Sequence, residues 1–253
     1  MYESLVETAR EIFLKHQELE NNKNRQSRNS EPALWPSSLL NCKRKVAHQL
    51  LNEPVSLPFS YQSLSYMDGG MVLEDATARA LKHVYNAEQN LQLRHGNWSG
   101  KVDFVIGHKT SKAVLIEHKA TGEGNFKRSG ALPKREHVAQ LALYGYLYNL
   151  KHDIEPELIL YYIGWGHYAD FTLTVRSNTI GVIGLIDNNF VSRNLRIDIK
   201  KEIADLEKVY EQTMKGDPLP PRLQNKSAGC TWAGKPSCPF YYSCYPNERN
   251  THS

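Results

Sequence analysis

Two stretches of the chain place apolar residues at helical spacing, and both read as amphipathic helices. One covers residues 2–20, with Leu5, Ala9, Ile12, Phe13 and Leu19 on a stripe. The other runs from about 71 to 88, with Leu73, Ala76, Ala80, Leu81 and Val84 on one side. Gly69-Gly70 punctuate the chain before the second helix, and residues 21–36 form a polar linker rich in Asn, Ser and Arg. Ser37 or Ser38 can cap a further helix over 39–51. The pattern then changes to short continuous apolar runs, Val102-Asp103-Phe104-Val105-Ile106 and Ala113-Val114-Leu115-Ile116-Glu117. The turn-rich Gly107–Lys112 joins them as a hairpin. Further strands are expected at 91–95, Leu158–Gly164 and Asp170–Val175. Helices are expected over Lys134–Leu150 and about 189–214, and a flexible loop over 120–133. This order gives an α/β fold, a mixed central β-sheet flanked by helices. The expected division is an N-terminal helix and linker (1–36), a core (37–215) and a cysteine-rich C-terminal segment (216–253).

Charge adds one local feature. The 253-residue chain has a net charge of +4. From His108 to Glu136 there are seven Lys or Arg against three Glu, 7 − 3 = +4, so this stretch carries an excess equal to that of the whole chain. Lys127, Arg128, Lys134 and Arg135 are the candidates for contacting a polyanion. The sequence shows neither a signal peptide nor an apolar run of membrane-spanning length, so a cytoplasmic protein without a membrane partner is expected. No GxxxxGK[ST] phosphate loop is present.

The hairpin carries the candidate chemistry. Antiparallel pairing brings Asp103 and Glu117 to the same end of the two strands, with Lys119 two residues further on. Strand alternation puts Glu117 and Lys119 on one face and His118 on the other. Two carboxylates and an ammonium converging at a sheet end suit metal-assisted phosphodiester hydrolysis: carboxylates hold a hard divalent cation, and the lysine stabilises charge on phosphorus oxygens. Another acid-x-Lys triplet, Asp198-Ile199-Lys200, lies in a helical-looking stretch. Glu74, early in the preceding helix, is a further candidate ligand. Gln140 and Tyr144 stand at i and i+4 on one helix face, where an amide can reach a phosphate or the attacking water and a phenol can bind phosphate or stack on a base.

Four cysteines form a separate signal. Cys42 precedes a helix, and Cys230, Cys238 and Cys244 fall in the aromatic-rich tail with spacing C-x7-C-x5-C. Four thiolates can hold zinc or an iron–sulfur cluster; structural free thiols are the alternative, and nothing indicates a disulfide-forming compartment.

The ordered set Gly70-xxx-Glu74, Gly100-xx-Asp103, Glu117-His118-Lys119 and Gln140-xxx-Tyr144 resembles the RecB-like branch of the PD-(D/E)XK nuclease superfamily. Cys42, within Ser38-Leu39-Leu40-Asn41-Cys42-Lys43-Arg44-Lys45, and the tail trio resemble its iron–sulfur members, the AddB-type and CRISPR-associated Cas-four-type exonucleases. The resemblance spans roughly residues 37–245 and implies a restriction-endonuclease-like core. It implies Mg²⁺- or Mn²⁺-dependent DNA exonuclease activity, on single-stranded ends, in recombination, repair or processing, in a phage or prokaryotic setting. Glu74, Asp103 and Glu117 would be metal ligands, Lys119 catalytic, and Gln140 and Tyr144 the supporting helix motif. A 4Fe–4S cluster on the four cysteines would join the terminal segments, with a helicase, recombinase or integrase as possible partner. The family commonly has His where this chain has Glu74, and closer pairing of the tail cysteines, which leaves zinc as the alternative to a cluster. Competing expectations are a catalytically silent DNA-binding or adaptor subunit and an endonuclease using the same site.

Overall fold

The computed structural model describes residues 31–55, 61–222, 230–232 and 235–247. The helix expected over 2–20 and most of the 21–36 linker lie outside them. The chain divides into two compact units, residues 33–41 with 70–217, and residues 1–32, 42–69 and 218–253.

The larger unit is built on a seven-stranded mixed sheet whose spatial order follows the sequence, β1 (Glu88–His95), β2 (Trp98–Ile106), β3 (Val114–Ala120), β4 (Glu157–Gly164), β5 (His167–Val175), β6 (Thr179–Ile186) and β7 (Asn189–Arg196). All neighbours are antiparallel except β3 and β4, which run parallel from Val114↔Glu157 to Ala120↔Ile163. A parallel pair needs a crossover. Here it contains helix α4 (Arg135–His152), which follows the short α3 (Glu123–Lys127) in the expected loop. Helix α4 is buried on almost every side, through Val138, Leu141, Leu143, Leu147 and Tyr148 among others. It lies so close to β4 that a Cβ on Gly145 would stand 2.8 Å from Leu158 Cδ2.

Four elements differ from the expectation, the first being strand β6 (Thr179–Ile186), for which the sequence reading assigned no element. The 189–214 stretch is strand β7 followed by α5 (Ile199–Met214). In β7 the half-buried residues alternate, Val191, Arg193 and Leu195, which is a period of two. Asp187 and Asn188 both have positive φ (46° and 68°) and close the two-residue β6–β7 hairpin. Asp198 is the N-cap of α5 and accepts from the Lys201 amide at 3.0 Å, so this acid-x-Lys triplet is a helix start. Helix α2 (Tyr61–Tyr85) begins ten residues before the expected start and runs through Gly69-Gly70. Its expected stripe is also displaced: Ala76, Ala80 and Val84 are exposed, and from Gly70 onward the half-buried positions are Gly70, Leu73, Glu74, Thr77, Ala78 and Leu81. The helix expected over 39–51 is α1 (Lys43–Leu50); a 3-10 turn over Pro36–Ser38 and a left-handed Leu40 (φ 61°) delay its start.

The segment before α1 shapes the site. Leu34 bridges to Trp98 in the sheet, and Pro36 then lies on Gly100, where a Cβ would stand 2.8 Å from both Pro36 Cδ and Tyr144 Cε1. Gly100→Ala is therefore expected to destabilise the protein by about 1–3 kcal/mol, the usual cost of overpacking. Thermal denaturation against wild type measures this; an unchanged midpoint would show that the contact yields freely.

The smaller unit contains α1, a two-stranded hairpin of β8 (Thr231–Trp232) and β9 (Lys235–Pro236), and helix α6 (Tyr241–Cys244). Cys230, Cys238, Phe240 and Tyr241 form its buried cluster, with Tyr242 and Tyr245 against it. Arg44 Nη1 donates to the Pro220 carbonyl at 2.9 Å.

Candidate active site

The β2–β3 ladder has three pairs, ending at Phe104↔Ile116, while β3 goes on pairing with β4 to Ala120 and β2 with β1 to Trp98. The strands part at Asp103 and Glu117. In place of a ladder bond, the His118 amide donates to Asp103 Oδ2 at 2.8 Å. The sequence reading of this end holds: the two acids lie side by side at a fork.

Glu117 is 1% exposed. Its Oε1 accepts from Lys119 Nζ at 2.6 Å and from Gln140 Nε2 at 2.7 Å. Its Oε2 is buried without a hydrogen-bond partner. Such an orphaned carboxylate oxygen is costly. His118 points the other way, its Nε2 3.4 Å from Thr77 Oγ1 on α2 and its ring near Phe104 and Tyr161. Glu74 is on the covered face of α2, half-buried, with Gln89 hydrogen-bonded to its side chain.

The electrostatics are those of crowded acids. Burial, reinforced by the Glu117 charge, pushes the Asp103 carboxyl up to about 7. Burial also raises Glu117 despite Lys119, and raises Glu74 with help from Asp103. Burial opposes the Lys119 ammonium, but Glu117, Asp103 and Glu74 outweigh it and hold the amine above its ordinary value. Burial and Lys119 lower His118 to about 4 and His137 to about 3, so both are neutral near pH 7. Three carboxyl groups thus share one ammonium, and burial and their mutual repulsion push all three toward the protonated form.

Gln140 is the helix residue that touches the acids. Tyr144 is 4% exposed, hydrogen-bonded to Gln140 and the Lys101 backbone, and burial and the Glu117 charge raise its phenol. A base cannot stack on so buried a ring; Tyr144 holds Gln140 in place. Three of the four basic candidates have side-chain partners. Lys127 pairs with Glu123, Arg128 donates to Asn125 Oδ1 at 3.0 Å, and Arg135 donates to the Arg196 carbonyl at 2.9 Å. Lys134 is the N-cap of α4, its amide donating to the Tyr162 hydroxyl at 3.1 Å. Thr77, on α2 beside His118, and Gln89, on β1 beside Glu74, carry no motif in the sequence.

No protein-family model matches the chain, and no curated protein matches it.

The cysteines stand in the other unit. Cys230, Cys238 and Cys244 are buried, Cys42 is half-buried at the N-cap of α1, and all four are free thiols. Burial raises the Cys230 thiol, with the charges of Cys238, Cys42 and Cys244 adding to it; burial likewise raises Cys238. Among the described residues, no group of three or more His, Cys, Asp or Glu side chains is arranged to hold a metal ion as it stands. The donor chemistry nevertheless suits two kinds of metal: hard oxygens with a partnerless Glu117 Oε2 at the fork, and thiols that raise one another at the cysteines.

Proposed function

We propose that the chain is a Mg²⁺- or Mn²⁺-dependent DNA exonuclease of the PD-(D/E)XK type, acting on single-stranded ends. The observation that carries this reading is the partnerless, buried Glu117 Oε2 at a fork shared with Asp103 and Lys119. Glu74, Asp103 and Glu117 would hold the cation, which supplies Lewis-acid activation of water and of the scissile phosphate. Gln140 and Lys119 together fix the Glu117 carboxylate through Oε1, leaving Oε2 available. The His118 amide fixes Asp103 in the same way. The Lys119 ammonium, kept charged by the surrounding acids, stands where it can stabilise negative charge developing on phosphorus oxygens. The same free-thiol quartet supports a 4Fe–4S cluster or zinc with a structural role.

End-labelled linear single-stranded DNA, duplex DNA and covalently closed single-stranded circles, each with Mg²⁺, Mn²⁺ or EDTA, test the activity. Shortening of the linear strand with either metal, survival of the circle and no reaction in EDTA are expected. Cleavage of the circle would make the enzyme an endonuclease. DNA binding without cleavage under both metals would overturn the enzymatic reading in favour of a silent binding subunit.

A further inference from the structure

The cysteine-bearing unit holds a buried histidine that the sequence motifs do not include. His48, in the last turn of the helix that Cys42 caps, is 2% exposed and stacks on Phe240 with ring centroids 5.1 Å apart. Its Nδ1 lies 2.6 Å from Glu53 Oε2, and its Nε2 lies 3.7 Å from Cys244 Sγ. A histidine buried for packing alone needs one partner for one N–H. This ring has both nitrogens directed at groups that become anions.

We propose that His48 is a positioning residue of the cysteine site, donating its Nε2–H to the Cys244 sulfur while Glu53 fixes the ring. The inference rests on reading the four cysteines as ligands of a thiolate-bound metal group. A ligating cysteine is a thiolate with no proton to give, so the imidazole must be the donor at Nε2. The Glu53 carboxylate then accepts from Nδ1–H, the outer-layer arrangement that orients imidazoles around metal centres. Both ring nitrogens then carry hydrogen, one facing the carboxylate and the other the sulfur. A hydrogen bond to a ligand sulfur withdraws electron density from it, which raises the reduction potential of an iron–sulfur cluster and holds the sulfur in its ligating direction at either kind of metal.

The full chain, purified anaerobically, is assayed for iron, acid-labile sulfide and zinc, and metal release to a chelator is timed. His48→Phe keeps a ring against Phe240 and removes both nitrogens; His48→Gln restores a side-chain N–H; Glu53→Gln leaves the imidazole in place; Gln49→Ala, exposed on the same helix, is the control. Release from His48→Phe is expected to be about tenfold faster or more, the usual range for an outer-layer partner. Glu53→Gln should fall between, His48→Gln should recover part of the loss, and Gln49→Ala should match wild type. If iron and sulfide are present, the visible spectrum and the reduction potential shift in the same order. Wild-type release rates and spectra in His48→Phe and Glu53→Gln would overturn the role of His48 alone. A wild-type chain carrying neither iron with sulfide nor zinc would overturn the cysteine reading, and the inference with it. Should His48→Phe not fold, the contrast between His48→Gln and Glu53→Gln decides the outcome.

Discussion

Replacing Lys119 by Ala is expected to lower the rate of DNA cleavage by at least about 10²–10³-fold, the scale of losing a preorganised charge at a developing oxyanion. Two effects act together. The substitution removes the ammonium that would face the phosphate, and it removes the counter-charge to Glu117. Burial and Glu74 then act on the Glu117 carboxyl with only the Gln140 amide to offset them, so Glu117 takes up a proton more readily and becomes a poorer oxygen ligand. Lys200→Ala, in the acid-x-Lys triplet that begins α5, should leave cleavage unchanged and is the matched control. Single-turnover rates on a labelled strand, alongside circular dichroism to verify folding, provide the measurement. Equal rates for Lys119→Ala and wild type would remove the lysine from the mechanism.

The second large effect is on stability, and its sign follows from Asp103. The folded carboxyl titrates at about 7 and the ordinary value is 3.8. Between these values the folded chain holds a proton that the unfolded chain releases. This group therefore favours folding most below about pH 4, and that contribution is lost as pH rises through about 7, at roughly 1.4 kcal/mol for each pH unit crossed. Asp103→Asn keeps an oxygen acceptor for the His118 amide and has no proton to lose. Without divalent metal, the variant should be the more stable protein at pH 8 and should show a flatter decline between pH 4 and 7. Adding Mg²⁺ or Mn²⁺ should raise the wild-type midpoint by mass action and barely move that of the variant. Denaturant titrations across this pH range check both statements; the same slope in both proteins would mean that Asp103 is not the group that titrates.

Much of this was readable in the residues themselves. The hairpin signals at Gly107–Lys112 and strand alternation gave the side-by-side acids and the placing of His118 on the opposite face without tertiary information. Helix α4 was readable too, because eighteen residues without an interior proline follow a loop rich in glycine. Strand β7 was hidden because Val191, Arg193 and Leu195 are only half-covered, and an edge strand with charged residues lacks a marked apolar alternation. Its turn signal, Asp187-Asn188, was present but depends on both residues taking positive φ. The covered face of α2 was misplaced because Ala and Val mark a stripe in composition whether or not they are buried, while the true face includes the polar Glu74 and Thr77. Buried function on a helix looks polar in sequence and is easily assigned to solvent. His48 escaped for a related reason: a lone histidine carries no periodicity, and its contact with Cys244 joins residues 196 apart in the chain.

The single parallel contact in the sheet has a bearing on when the site comes into being. Strands β1–β2 and β4 to β7 pair through short local turns, which close quickly. Pairing of β3 with β4 instead closes a loop that contains the whole of α4, and loop closure of that length costs entropy before any contact repays it. Glu117 on β3 meets Gln140 on α4 only once that helix lies against the sheet. The acids are therefore neighbours from the moment the hairpin forms, but the carboxylate is aimed only at the end of assembly. A chain still emerging from synthesis carries the ingredients of this site without its geometry.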